Sequence, residues 1–287
     1  MTKKQKIKKY FNQREKLSLK NPKYKHQVKW LVDFMLQEDL GTKGDITTNT
    51  LIKNNPKVTA IITTKESGII AGLEEIKWIL KTYNLKLKTF TKDGNKLKKG
   101  DKILKITGGI KNILKLERTI LNILQRMSGI ATQTSKLVTK KGPLICSTRK
   151  TQWGLLDKKA VTLGGGGTHR LGLYDWILIK DNHLKQIRNS KFEIRNSFYE
   201  IECKTERQAL QFAKLDSGAL MLDNMKPKKI KKLIKRIKKI KPNIIIEASG
   251  GINENNIKEY QKTGVDIISL GSLTHSTKSL DISLNIL

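Results

Sequence analysis

The second half of this chain repeats one pattern: a short, continuously apolar run followed by a stretch of helical periodicity. The runs are LICST (144–148), WILIK (176–180), YEIEC (199–203), ALMLD (219–223), NIIIEA (243–248) and DIISL (266–270), with helical spacing at 153–163, 205–214, 227–240 and 253–262. Strands that are apolar on both faces and separated by helices specify a parallel sheet covered on both sides. Such sheets bind ligands at the carboxyl ends of their strands. Here those ends carry Arg149–Lys150, Lys180–Asp181, Glu202, Asp223–Asn224, Ser249–Gly250–Gly251 and Gly271. An open sheet would string them along an edge, whereas a β/α barrel brings them to one mouth. The pattern is read as an α/β barrel of about seven strands.

The first part has another rhythm. Residues 1–25 are polar and lysine-rich, a frayed arm or a first helix, and Val28–Leu36 has helical spacing. EDLGTKGDITT (38–48) is turn-rich. VTAIITT, SGIIAGL, LKLKTFT and KGDKILKITGG read as short strands within 56–107, interrupted by a helix near Leu73–Tyr83. Residues 110–138 form the longest helical stretch, with a soft break expected at Gly129.

Charge narrows the function classes less than its size suggests. The 287 residues hold 58 Lys+Arg and 25 Asp+Glu, a formal net charge of +33. That balance invites a nucleic-acid reading. However, nine of the basic residues are arginine and 49 are lysine, a poor ratio for bidentate phosphate and base contacts. Residues 1–29 and 226–241 together supply +20 of the total. The 226–241 run spaces Ile230, Leu233, Ile234, Ile237 and Ile240 like an outer helix with a solvated lysine face. No apolar stretch approaches the ~20 residues of a membrane span, and no apolar segment follows the basic start as in a secretory leader. Cys146 and Cys203 lie far apart without a CxxC, as expected of reduced, buried thiols in a cytoplasmic protein.

Three constellations carry chemistry. STRKTQWGLL and GGGGTHRLGLYDWILIKDNH supply Arg149, Lys150, His169, Arg170 and Lys180 around the glycines 164–167. Gathering so many cations is costly without an anionic ligand, so the pocket is expected to take a polyanion. Glu202 and Asp223 end successive strands and either hold a divalent metal, Mg²⁺ by their oxygen donors, or pair with the neighbouring cations. EASGGIN and SLGSLTHS put Ser249, Gly250, Gly251, Gly271 and His275 after the last strands, where β/α barrels bind phosphate. His26 and His183 have no partner in the pattern and read as structural or exposed.

These motifs, with EDLGTKGDITT, LERTILNILQRMSGIAT, EIEC, LMLDNM and GVDIISLGSLTHSTKSLDISL, resemble those of the quinolinate phosphoribosyltransferase family, also called carboxylating nicotinate-nucleotide pyrophosphorylases, in order over about 250 residues. The resemblance implies a type II phosphoribosyltransferase fold. An N-terminal α/β sandwich domain (1–120, with the basic arm 1–25, completed by 276–287) would pack on a seven-stranded α/β barrel (121–275). It implies a pentosyltransferase of NAD biosynthesis: quinolinate and phosphoribosyl pyrophosphate give nicotinate mononucleotide, pyrophosphate and CO₂, with Mg²⁺. By the same resemblance, Arg149, His169, Arg170 and Lys180 hold quinolinate, joined by Arg118 from the partner of a dimer, alone or within a hexamer. Lys150 faces the phosphoribosyl pyrophosphate. Glu202 and Asp223 engage its ribose and Mg²⁺, while Ser249, Gly250, Gly251, Gly271 and His275 take its 5′-phosphate.

The chain also departs from the family pattern. TRKTQWGLLDKK is two residues shorter than the usual TRKTTPGLR segment and lacks its Pro and Arg, which implies altered loop contacts to the donor. The stretch 184–198 is short and leaves little room for a helix, and a lysine follows EIEC. The competing readings are a phosphoribosyltransferase of the same fold with another acid substrate, such as nicotinate, and a basic nucleic-acid-binding protein. The set of cations suits a dicarboxylate better than a monocarboxylate, and no specific nucleic acid or membrane partner is expected.

Overall fold

The computed structural model describes residues 1–187, 194 and 197–287. In chain order its elements are α1 (Lys3–Phe11), a 3-10 turn (Arg14–Lys16), α2 (Pro22–Leu40), α3 (Ile46–Leu51), β1 (Lys57–Thr64), β2 (Gly68–Ile69), α4 (Leu73–Thr82), β3 (Lys86–Thr89), β4 (Lys96–Leu97), β5 (Lys102–Gly109) and α5 (Ile110–Leu137). They continue with β6 (Leu144–Ser147), α6 (Leu155–Leu163), β7 (Ile177–Ile179), α7 (Asp181–Ile187), β8 (Tyr199–Cys203), α8 (Glu206–Phe212), β9 (Ala219–Asp223), α9 (Pro227–Ile240), β10 (Ile245–Ser249), α10 (Ile257–Gln261), β11 (Ile267–Leu270), α11 (Ser272–His275) and β12 (Ile282–Ile286). Among the described residues, no helix is long and apolar enough to cross a membrane.

The chain divides into two compact units. One comprises Arg14–Lys136, Gln152–Gly165 and Ser276–Leu287. Its antiparallel sheet runs β12-β1-β5-β3, so the C-terminal strand pairs with the first. Helix α2 starts where Asn21 caps the Lys23 N–H and Pro22 presets the first turn. It runs on to Leu40, so the 38–48 segment is less turn-like than expected, and Asp45 caps α3. Of SGIIAGL, two residues pair as a strand. Helix α5 is unbroken through Gly129. This glycine is there for contact: a Cβ on it would lie 2.2 Å from the main-chain oxygen of Lys278.

The second unit comprises Met1–Gln13, Leu137–Thr151 and Gly166–His275, and holds a parallel sheet ordered β6-β11-β10-β9-β8-β7. The strands alternate with α7–α10, and the lysines of α9 face solvent above buried Ile230, Leu233, Ile234 and Ile237. Among the described residues, six strands form where about seven were expected. The seventh position is a single bridge, Gly167 to Cys146, and no ladder among the described residues joins it to β7. The N–H groups of Thr168 and His169 are instead given to the carbonyl of Phe11. The start of the chain is therefore no frayed arm. Thr2 and Gln5 form a capping box for α1, and Phe11 is fully buried in a core with Cys146, Trp176, Leu178, Ala219, Met221, Ile245 and Ile267. Burying that ring contributes about 1.5–3 kcal/mol to this core. A helix, α7, does occupy the start of the short 184–198 stretch, while residues 188–193, 195 and 196 lie outside the described residues.

Candidate active site

Side chains along a strand alternate between faces, so every second residue points the same way. In the parallel sheet Ala219 pairs with Ile245, Met221 with Glu247 and Asp223 with Ser249, while Glu200 and Glu202 pair with Ala219 and Met221. Ala219, Met221, Ile245 and Ile267 belong to the apolar core, which assigns their face to the interior. The next residues up on that face are Glu202, Asp223, Ser249 and Gly271, at or just past the strand ends. They line one cavity of about 510 Å³.

Twelve of the thirteen residues singled out from the sequence line this cavity: Arg149, Lys150, His169, Arg170, Lys180, Glu202, Asp223, Ser249, Gly250, Gly251, Gly271 and His275. Arg118 belongs to the other unit and is exposed on α5. The ammonium of Lys180 lies 3.5 Å from Glu202, whose side chain is nearly buried. Burial, together with the positive charge of Arg149, lowers the pKa of Arg170. The second cause is the signature of two guanidinium groups sharing a pocket suited to an anion.

Asp223 is held from the following residue. Asn224 has φ +54°, donates from its side-chain amide to Asp223 Oδ2 at 2.8 Å, and gives its backbone N–H to Ser249 at 2.9 Å. The same amide requires the glycine opposite: Gly250 has φ +84°, and a Cβ there would lie 2.6 Å from Asn224. Two carboxylates at neighbouring strand ends give a hard, oxygen-only donor set that suits Mg²⁺. Two are too few for a protein cage, so such an ion would complete its shell with water and phosphate oxygens.

Beneath this layer lies a cluster absent from the sequence reading. His169, Glu200 and Glu247 are buried with their ligating atoms within 4.8 Å of one another. Nε2 of His169 stands 3.0 Å from Glu247 Oε2 and 3.5 Å from Glu200 Oε2. Burial opposes charge on the ring, but Glu247 and Glu200 outweigh it and lift the His169 pKa to about 9. Burial and the Glu247 charge lift Glu200 to about 7. Both shifts favour keeping protons within the trio at neutral pH. Nδ1 of His169 accepts the Arg170 backbone N–H at 2.8 Å, which leaves Nε2 as the ring's donor toward Glu247.

Residues 45–128 match the profile described as quinolinate phosphoribosyl transferase, N-terminal domain, and residues 130–285 match that of the C-terminal domain. The chain belongs to the quinolinate phosphoribosyltransferase family. A relative from Methanocaldococcus jannaschii named "Probable nicotinate-nucleotide pyrophosphorylase [carboxylating]" is 41% identical over 269 residues, covering 88% of this chain and 94% of that protein. A Nicotiana tabacum protein named quinolinate phosphoribosyltransferase [decarboxylating] 2a is 36% identical, covering 95% and 86%. The solved nicotinate-nucleotide pyrophosphorylase of Francisella tularensis superposes with a TM-score of 0.82 at 33% identity, covering 91% of this chain and 96% of that one.

Glu200 and Glu247 did leave a signal in the sequence. Each is a charge inside an otherwise apolar strand, YEIEC and NIIIEA, two residues before a strand-end position. Period-two geometry puts both on the face that leads to the cavity. Asn224 was visible as a strand-end residue, but its left-handed backbone was not.

Proposed function

We propose that the cavity at the strand ends joins quinolinate to phosphoribosyl pyrophosphate, releasing pyrophosphate and CO₂ and giving nicotinate mononucleotide, with the residue roles that follow. The observation that carries the assignment is the meeting of Arg149, Lys150, Arg170 and Lys180 with the carboxylates Glu202 and Asp223 in one cavity. A pocket with one sign of charge would take one substrate. This one has a cationic side for a dicarboxylate and an anionic side for the carbon that becomes electron-poor.

Arg149, Arg170 and Lys180 neutralise the two carboxylates of quinolinate and aim its ring nitrogen at C1′. His169 belongs to this pocket, and Arg118 of a second copy of the chain completes it in a homodimer, alone or within a hexamer. Lys150 faces the pyrophosphate of the donor. Ser249, Gly250, Gly251 and Gly271, with His275, surround its 5′-phosphate, where small side chains leave backbone N–H groups accessible. As the bond from C1′ to pyrophosphate breaks, positive charge grows on the ribose, and Glu202 and Asp223 stabilise it electrostatically. Glu202 and Asp223 would also hold Mg²⁺, which when bound neutralises pyrophosphate charge. The new bond makes the ring nitrogen cationic. That cationic nitrogen stabilises the electron pair left on C2 when the adjacent carboxylate departs as CO₂, and C2 then takes up a proton.

This reading places the enzyme in the cytoplasm, in keeping with two buried free thiols, of which Cys203 has its pKa pushed up chiefly by burial. The test is product analysis. The purified chain with phosphoribosyl pyrophosphate and Mg²⁺ should form nicotinate mononucleotide and CO₂ from quinolinate and leave nicotinate unconsumed. Consumption of nicotinate instead would overturn the substrate assignment, and consumption of neither would overturn the reaction.

A further inference from the structure

His169 lines the cavity, yet neither of its nitrogens is available to a ligand there. Nε2 is directed at Glu247, 3.0 Å away, with Glu200 behind it at 3.5 Å. Nδ1 accepts the N–H of Arg170 at 2.8 Å. The backbone at His169 is left-handed, φ +50°, a conformation that costs a non-glycine residue about 1–3 kcal/mol unless its surroundings impose it. Here they do: the Phe11 carbonyl takes the His169 N–H, Phe11 meets the ring edge-on with centroids 5.2 Å apart, and Trp176 lies 4.9 Å away. The residue that follows this strained position is Arg170.

We propose that His169 is a positioning residue: Glu247 and Glu200 fix its ring with the proton on Nε2, and the bare Nδ1 orients the Arg170 N–H and thereby the guanidinium that meets the substrate carboxylate. The inference rests on the reading of this cavity as the quinolinate pocket. It differs from that reading in taking His169 off the list of groups that touch quinolinate. Glu247, which the site assignment leaves out, becomes the group that sets the ring. Glu200, both of whose buried oxygens lack a hydrogen bond within the described residues, is the third member of the cluster, 3.5 Å from Nε2.

Imidazole ¹⁵N NMR on the intact enzyme tests the arrangement directly, with signals assigned by loss in His169→Asn. The expected result at neutral pH is a protonated Nε2 and an unprotonated Nδ1, both unmoved by saturating quinolinate. An imidazolium signal, or a change at either nitrogen on adding quinolinate, overturns the proposal. Kinetics supply the second arm. His169→Ala should raise KM for quinolinate about ten- to a hundredfold, as loss of alignment does, with KM for phosphoribosyl pyrophosphate changed less than about twofold. His169→Asn, whose Oδ1 can replace Nδ1 as acceptor, should recover most of the loss, and equal damage in both variants counts against the proposal. A divalent ion retained stoichiometrically by purified enzyme and lost in Glu247→Gln would make the trio a metal site and also overturn it. Failure of the wild type to use quinolinate refutes the substrate reading instead, while the NMR result still decides the geometry.

Discussion

The ammonium of Lys180 stands 3.5 Å from the carboxylate of Glu202, one at the end of β7 and the other at the end of β8. The contact joins the cationic and anionic sides of the cavity, so Glu202 is an ion-pair partner that also lines the cavity, and its part in the chemistry is a separate question. The two roles differ in their consequences. Lys180 is about half exposed, so losing this partner costs little stability, about 0–1 kcal/mol. Loss of a charge that stabilises the transition state costs far more. Glu202→Gln should retain the wild-type melting temperature while kcat falls about 10²–10³-fold. Steady-state kinetics beside a thermal melt checks it, and near-wild-type turnover would remove Glu202 from the chemistry.

Arg149 and Arg170 share one pocket, and beside the effect of burial the positive charge of Arg149 makes that of Arg170 less favourable. A dicarboxylate should therefore stabilise the protein, by about 2.7 kcal/mol at a hundred times its Kd. Arg149→Ala should leave the ligand-free melting temperature unchanged or slightly higher, and should abolish most of the quinolinate-induced rise. Differential scanning fluorimetry with and without quinolinate, repeated at high salt, gives both numbers. A full ligand shift in the variant would take Arg149 out of the binding site.

What could be read from the sequence follows from how local each signal is. Strand ends were legible because a continuously apolar run stops abruptly at a charge or a glycine: YEIEC and ALMLD match β8 and β9 residue for residue. The break expected at Gly129 rested on propensity, and tertiary contact overrode it. Its missing side chain serves the segment around Lys278, about 150 residues away, which no local pattern announces. The near-absence of a strand at Gly167 is similar. Its neighbours are bonded to Phe11, and the lysines of α1 concealed that this helix ends in the core. The trio of His169, Glu200 and Glu247 depends on register between strands far apart in the chain, so only its two out-of-place charges were visible.

In the unit built around the antiparallel sheet, Lys159 is nearly buried and pairs with both Glu74 and Glu75, while Tyr24 donates to Glu75 at 2.8 Å. Burial raises the Glu75 pKa above its ordinary 4.5 despite Lys159. For Glu74, burial is outweighed by Lys159 and the Leu19 N–H, and the pKa falls below 4.5. The signs oppose. A lowered pKa stabilises the fold above the ordinary carboxylate range, and that part is lost as pH falls through the folded value. A raised one means that Glu75 takes up its proton first on acidification, which relieves a buried charge. Lys159→Met leaves Glu75 buried without a cation and should cost about 3–5 kcal/mol near pH 7. The deficit should shrink as pH falls, because Glu75, its pKa raised by burial, takes up a proton in the variant. Melting temperatures of both proteins across pH 5–8 test this, and a pH-independent difference would mean that packing, not charge, holds Lys159.

The lysine-rich helix α9 carries ten of the basic residues that first suggested a nucleic-acid partner, if its flanking Lys226 and Lys241 are counted. Its buried stripe of Ile230, Leu233, Ile234 and Ile237 accounts for its place in the fold, and its lysines 228, 231, 232, 235 and 239 are exposed. None of these five lysines lines the cavity, and exposed charges are screened at physiological salt. Replacing those five lysines by glutamine should therefore leave kcat/KM for quinolinate within about twofold, as surface substitutions away from a site do. It should also weaken any salt-sensitive retention on a polyanionic column, because each neutralised lysine removes a counterion-release contact. Activity that fell with retention would tie α9 to the reaction. Activity that held while retention fell would leave the functional charge in the cavity, on Arg149, Lys150, Arg170 and Lys180.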